Sequence, residues 1–221
     1  MAIDGPAGAG KSTVAKAVAK RLGYRYMDTG AMYRALAWKA MRHGAAPDDE
    51  SALGRILEST DVDLGADGTV MLDGADVSGA IRTPEVGQMA SQVSGMKIVR
   101  QRMADLQRAM GRSGSVVAEG RDMGTVVFPE AEVKVYLDAS PETRARRRFD
   151  ELAAKDSTLT LEQTLADVMR RDRRDKERAV APLRRADDAV FIDSTAMPVD
   201  AVVDRILQEV NSKSNENGRI A

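Results

Sequence analysis

Cysteine is missing from all 221 residues. Disulfides, thiolate nucleophiles and zinc–thiolate sites are therefore excluded. Histidine occurs once, as His43 directly before Gly44. That is the place of a helix-terminal surface residue, and one imidazole makes no relay. Asparagine is confined to the tail, at positions 211, 215 and 217, so the N-K-x-D motif with which GTPases read guanine is not available. An excess of one charge is missing as well. With 33 basic and 34 acidic residues the net charge is −1, which removes any overall basic field for nucleic acid or an anionic membrane. No apolar run approaches the ~20 residues of a membrane span, and no signal peptide precedes the first motif. These absences set the expectation of a soluble, cytoplasmic protein.

What is present is ordinary in bulk: 43% hydrophobic and 30% charged residues, in a chain long enough for one domain with insertions. Apolar runs alternate with helical periodicity, which predicts an α/β fold with a mostly parallel sheet. "MAID" reads as a short strand, and Val14, Val18 and Leu22 define a helix that Gly23 ends. "YRYMD" reads as a strand and "GAMYRALAWKAMRHG" as a helix, with Ala35, Trp38 and Met41 or Met32 facing the core. A third helix spans "PDDESALGRILEST", capped by Asp48 or Asp49. The Gly- and Asp-rich stretch 61–81 predicts small antiparallel strands with tight turns. Helical periodicity returns from Pro84 to Met110, and 115–118 and 133–137 read as buried parallel strands. A further apolar run, "TVVF", follows at 125–128. Charged helices at 141–154 and 161–180, a strand "VFID" and a helix at 198–210 complete the pattern. The expected organisation is one domain over 1–210, with its core in 1–59 and 96–210. An insertion lies at about 60–95, a short helical lid at about 150–178, and a disordered tail at 211–221.

"GPAGAGKS", Gly5 to Ser12, fits G-x-x-x-x-G-K-[ST] and stands between a strand and a helix. Gly5, Gly8 and Gly10 let the backbone curl with its N–H groups turned inward on phosphate oxygens. The helix that begins at Lys11 adds its positive end. Lys11 reaches the β and γ oxygens, and the Ser12 hydroxyl suits a magnesium ion. An inert glycine-rich turn gives no reason for a Lys-Ser pair at the helix start. The expected fold is therefore a P-loop nucleoside-triphosphate-binding fold.

Two classes of function are open: a small-molecule phosphotransferase, or a nucleotide-driven switch that moves a partner. A phosphotransferase holds two polyanions and needs several guanidiniums and a lid against water. Arg34, Arg82, Arg100, Arg121 and the cluster "RRDRRDKER" at 170–178 satisfy that need. The plain alternative for 170–178 is a solvated helix face with i,i+4 ion pairs. "EGRDMGT", 119–125, places an acid, a base and an acid between two apolar runs.

In "IDGPAGAGKST", "DTGAMYR", "DVSGAIRTPEV", "ASQVS", "EGRDMGTVVFP" and "RDRRDKERAVAPL" the chain resembles the bacterial cytidylate kinases, over Ala2 to about Val210. The resemblance implies transfer of the ATP γ-phosphoryl group to CMP or dCMP by a monomer that binds neither nucleic acid nor membrane. Gly5, Pro6, Ala7, Gly8, Ala9, Gly10, Lys11, Ser12 and Thr13 would hold ATP. Ser12 would ligate Mg²⁺, and Glu119 would act on it through water. Lys11, Arg121, Arg171 and Arg174 would stabilise the phosphoryl group in transit. For CMP, Thr29 and Arg34 would contact the acceptor, Ser91 and Arg100 would help read cytosine, and Arg121 would hold the phosphate. Asp122 would accept from the cytosine amine, a carboxylate reading the amino group of C. Asp175 would take the ribose hydroxyls and Arg178 the CMP phosphate. Arg147 or Arg148 would stack on adenine or belong to a solvated face. Another small-molecule P-loop kinase and an ATP-driven switch are the alternatives.

Overall fold

Three residues make the first strand, β1 (Ala2–Asp4), and all three are buried. The computed structural model describes residues 1–65, 67–112, 114–153 and 159–216. Part of the expected lid and of the expected tail lies outside them. After β1 come α1 (Lys11–Leu22), β2 (Arg25–Asp28), α2 (Thr29–Arg42) and α3 (Glu50–Glu58). Then follow β3 (Val62–Leu64), β4 (Val70–Leu72), β5 (Ala75–Asp76), α4 (Pro84–Val93), α5 (Lys97–Gly111) and β6 (Val116–Gly120). The chain ends with a π-helical turn (Met123–Val127), β7 (Lys134–Asp138), α6 (Pro141–Ala153), α7 (Leu161–Glu177), β8 (Val190–Asp193) and α8 (Val199–Glu216). Two compact units result: Met1–Gly23 with Glu119–Ala221, and Tyr24–Ala118.

In the first unit β1, β7 and β8 are parallel neighbours, with Ile3 opposite Val135 and Leu137 opposite Ile192. Ile3, Val135 and Leu137 are fully or almost fully buried, as expected of strands covered on both faces. α1 packs on α8, and α6 on α7. The glycine predicted to end α1 does so: Gly23 takes φ 66° and its N–H caps the carbonyls of Ala19 and Lys20.

In the second unit β2 lies beside β6, and α2 packs against α3 and α4. The expected antiparallel strands are present, with Val62 opposite Leu72 and Met71 opposite Asp76. Lys39 ties this small sheet to α2. Its Nζ reaches Asp73 Oδ2 at 2.6 Å and donates to Ser59 O at 2.7 Å. Asp49 is the cap of α3, its carboxylate accepting from Ala52 N at 2.9 Å. His43 is the exposed C-cap of α2.

Several local expectations change. The buried face of α2 runs through Met32, Ala35, Leu36 and Lys39, while Met41 is exposed and Trp38 carries Arg42 over its ring. The helical stretch from Pro84 breaks at Ser94–Met96, where Gly95 removes helix propensity, and resumes as α5. "TVVF" closes a π-helical turn rather than a regular element, with Val127 N–H bonded to Asp122 O. The last helix continues to Glu216, beyond the predicted end at 210.

Candidate active site

The loop from Gly5 to Gly10 depends on its three glycines, all at positive φ, and two of them also lie too close to neighbouring backbone to carry a Cβ. Gly5 takes φ +150°, and a Cβ there would stand 1.9 Å from the carbonyl oxygen of Leu137. At Gly8, φ +77°, a Cβ would meet the Arg144 carbonyl at 2.9 Å. The backbone is thus pressed between the end of β7 and α6. Ser12 and Thr13 stand exposed at the first turn of α1.

Lys11 is 6% exposed, and its Nζ donates to Pro6 O at 2.7 Å. Burial, with the positive charge of Arg121 and Arg171, pulls its pKa down to about 7, although Glu119 and Asp4 oppose the shift. A polyphosphate bound here would restore the ammonium charge toward its ordinary value of about 10.4. Between these limits binding takes up a proton, so affinity falls as pH rises, by at most about tenfold per pH unit. Calorimetry at pH 8 in two buffers of different ionisation enthalpy should show uptake of up to about one proton per triphosphate bound. The Lys11→Met variant should lose that uptake.

Arg144, 3% exposed, braces the loop from the far side. It donates from Nε to Ala139 O at 2.8 Å and from Nη1 to Ala7 O at 3.1 Å, and pairs through Nη2 with Asp172 of α7 at 2.6 Å. Arg147 donates to Ser194 O at 2.7 Å and to Ala9 O at 3.5 Å, so it is neither a solvated residue nor an unengaged one. Arg148 pairs with Glu151 on the outer face.

Beyond β6 the acid-base-acid triplet joins the end of α7. Arg121 Nε donates to Asp175 Oδ2 at 2.9 Å, and its Nη1 to Gly120 O. Arg178 lies 3.8 Å from Asp175 Oδ1 and 3.9 Å from Asp122 Oδ1, and donates from Nε to Ala181 O. Asp122 and Asp175 are 3% and 4% exposed, and Glu119 is also buried. Burial alone would raise the Asp175 pKa, but Arg121, Arg171 and Arg178 hold it below the usual carboxylate range. Burial likewise opposes the charge of Arg121, and Asp175 more than offsets it. Lys11, Glu119, Arg121, Asp122, Arg171, Asp175 and Arg178 are thus gathered in one unit, and Arg174 sits one turn before Arg178 on α7. The guanidiniums of Arg121, Arg171, Arg174 and Arg178 suit a group of polyanions.

The second unit holds the other predicted residues. Asp28 caps α2, accepting from Ala31 N at 2.8 Å. Its Oδ2 also accepts from Arg34 at 3.2 Å and Arg82 at 3.3 Å. Thr29, next to it, is 2% exposed. At the break between α4 and α5, Arg100 Nη1 donates to Ser94 O at 3.2 Å and its guanidinium lies over Tyr33. Ser94 in turn donates to Ser91 O, which brings Ser91 to the same place. Sequence reasoning named Arg82 without giving it a partner and missed Asp4, Asp28, Arg144 and Asp172. For Asp28 the signal existed, since an acid directly before a helix start is a cap.

The chain matches the sequence profile described as "Cytidylate kinase" over residues 1–212. It is 50% identical over 216 residues to a cytidylate kinase of Geobacter sp. (strain M21), covering 96% of this chain and 93% of the relative. It is also 50% identical over 220 residues to a cytidylate kinase of Pelotomaculum thermopropionicum, covering 98% and 97%. Among solved structures, an uncharacterized protein from Eubacterium ventriosum superposes with a TM-score of 0.51 at 12% identity, covering 96% and 97% of the two chains. That last likeness concerns the fold alone.

Proposed function

The chain belongs to the cytidylate kinase family, and we propose that it moves the γ-phosphoryl group of ATP to CMP or dCMP in one in-line step, giving ADP and CDP or dCDP. The observation that carries this reading is the charge cluster of the first unit. There Lys11 shares its surroundings with Arg121 and Arg171, while Arg121 and Arg178 flank the buried Asp175 and Arg178 approaches Asp122.

In that reading the loop N–H groups of Gly5, Ala7, Gly8, Ala9 and Gly10 hold the triphosphate, with Pro6 shaping the loop and Lys11, Ser12 and Thr13 completing the cradle. Arg121, Arg171 and Arg174 stabilise the charge spread over the group in transit, which is most of what such a reaction needs. The acceptor phosphate is already an anion, so no strong general base is required. Arg34 and Arg178 hold that phosphate with Arg121, and Thr29 contacts the acceptor. Asp122 accepts from the cytosine amine, Ser91 and Arg100 read the base further, and Asp175 takes the ribose hydroxyls. The exposed hydroxyl of Ser12 and the buried carboxylate of Glu119 are hard oxygen donors, which suit a magnesium ion brought by ATP, Glu119 acting through water. When bound, that ion neutralises charge on the phosphates.

A monomer acting in the cytoplasm without nucleic acid completes the proposal. The net charge of −1 agrees with small-molecule substrates. Among the described residues no helix is long and apolar enough to cross a membrane.

The test is ADP release from Mg·ATP with CMP, dCMP, UMP, AMP, GMP and dTMP side by side. Turnover that depends on CMP or dCMP and is weak with the rest is the expected result. Slow release that is indifferent to every monophosphate would leave only the cradle standing.

A further inference from the structure

Asp4 stands at the C-terminal end of β1, immediately before the phosphate loop, and is 4% exposed. Neither the loop nor the transfer reaction as derived above uses it. A carboxylate this deeply buried needs partners, and its two are backbone groups well over a hundred residues away. Oδ1 accepts from Met123 N at 2.8 Å and Oδ2 from Gly124 N at 2.7 Å. These are the first two N–H groups of the π-helical turn, which no carbonyl within the turn can satisfy. The far end of the same turn is closed by its own carbonyls: Val127 N–H bonds to Asp122 O and Phe128 N–H to Met123 O. The turn is therefore fixed at its start by Asp4 and at its end by itself.

The residue that this leaves defined is Asp122. Its backbone, at φ −149° and ψ 24°, fits neither a helix nor a strand, so no ladder on either side dictates where its side chain goes. Two charge-assisted bonds to the next two residues fix its backbone from the C-terminal side, and Arg178 stands 3.9 Å from its Oδ1. The packing on the other side is equally close: a Cβ on Gly124 would meet the Lys134 side chain at 3.2 Å and Asp4 Oδ2 at 3.5 Å.

We infer that Asp4 is a positioning residue for base selection, acting through the Met123–Gly124 backbone to hold Asp122 where it meets the cytosine amine. This rests on the proposed role of Asp122. Asp4 also feels the charge of Lys11, but an effect passed through Lys11 would alter turnover of every acceptor alike. An effect passed through Asp122 alters the choice between acceptors.

The experiment is the CMP/UMP ratio of kcat/KM in Asp4→Asn, Asp122→Asn and the double variant. UMP carries a carbonyl where CMP carries the amine, so Asp122→Asn should lower the ratio about 10- to 100-fold. An amide at position 4 has one acceptor for two N–H groups and sets its own donor against the second. Asp4→Asn should therefore lower the ratio about 3- to 10-fold, and the double variant should fall no further than Asp122→Asn alone. An unchanged ratio in Asp4→Asn, with a drop in Asp122→Asn, overturns the inference and leaves the role of Asp122 standing. Drops that multiply in the double variant overturn it too, because Asp4 then acts independently. An unchanged ratio in Asp122→Asn removes the premise and the inference together. Should Asp4→Asn fail to fold, amide hydrogen exchange on the unmodified protein still decides. Slow exchange at Met123 and Gly124, buried at the start of a one-turn element whose own carbonyls cannot reach them, supports the clamp, and exchange at the rate of an open loop overturns it.

Discussion

Lys11→Ala is expected to lower kcat by on the order of 10²–10³-fold or more, the cost of removing a single preorganised charge from the group in transit. The structure says why no neighbour replaces it. Lys11 Nζ lies against the loop itself, 2.7 Å from Pro6 O, whereas Arg121 is oriented from the other side by Asp175 at 2.9 Å. Nor should the loss come from unfolding. The ammonium of Lys11 is almost wholly buried, and burial is the largest cause of its lowered pKa. Deleting a desolvated cation that lies near Arg121 and Arg171 relieves repulsion in the substrate-free protein. The melting temperature of Lys11→Ala should accordingly equal or exceed that of the parent. Steady-state ADP release and a thermal melt on the same preparation check both halves. Near-normal turnover would sink the assignment of the cradle.

Gly5→Ala should cost stability rather than turnover alone. The added methyl would stand 1.9 Å from Leu137 O, so the backbone of β7 or of the loop must move, and φ +150° is in any case hostile to alanine. Forced overpacking against backbone costs about 1–3 kcal/mol, and the strained dihedral adds about 1–3 more. The first term falls on β7, the central strand of the first unit, and the second on the loop itself. Gly23→Ala provides the contrast. It also has a positive φ, 66°, but nothing lies within 4 Å of the added Cβ, so about 1 kcal/mol is expected from the dihedral alone. Urea denaturation of the two variants reads the difference directly, and equal losses would mean that the contact with Leu137 is not what demands glycine at position 5.

What could be read in the sequence divides along a physical line. The cradle was legible because its determinants are contiguous: glycines, a lysine and a hydroxyl between a strand and a helix. The alternation of strands and helices was legible because burial on both faces imposes apolar runs. The triplet Glu119, Arg121 and Asp122 could be seen as unusual, since charge there interrupts two apolar segments. Arg144 could not be found. In "RARRR" every arginine looks alike, and the one that turns inward is chosen by Asp172 and by the carbonyls of Ala7 and Ala139. Asp4 was hidden for the same reason, its partners lying at 123 and 124. The inner face of α2 was misjudged because hydropathy favours Trp38 and Met41, whereas the fold buries Lys39 against Asp73 and the carbonyl of Ser59. The π-helical turn was missed because a run as short as Val126, Val127 and Phe128 carries no period that separates it from a strand.

The Arg144–Asp172 pair has a bearing on how this enzyme can be rebuilt. One side chain on α6 fastens the phosphate loop, the end of β7 and the arginine-rich helix α7, three segments far apart in the chain. These segments cannot be exchanged with a relative's one at a time. A chimera that imports the charged helix with a different residue at 172 would take from a buried guanidinium its 2.6 Å carboxylate partner, leaving Asp138 at 3.6 Å, and the fault would surface in the loop, at Ala7. Position 144 must travel with position 172, so recombination should cut outside the stretch that contains both.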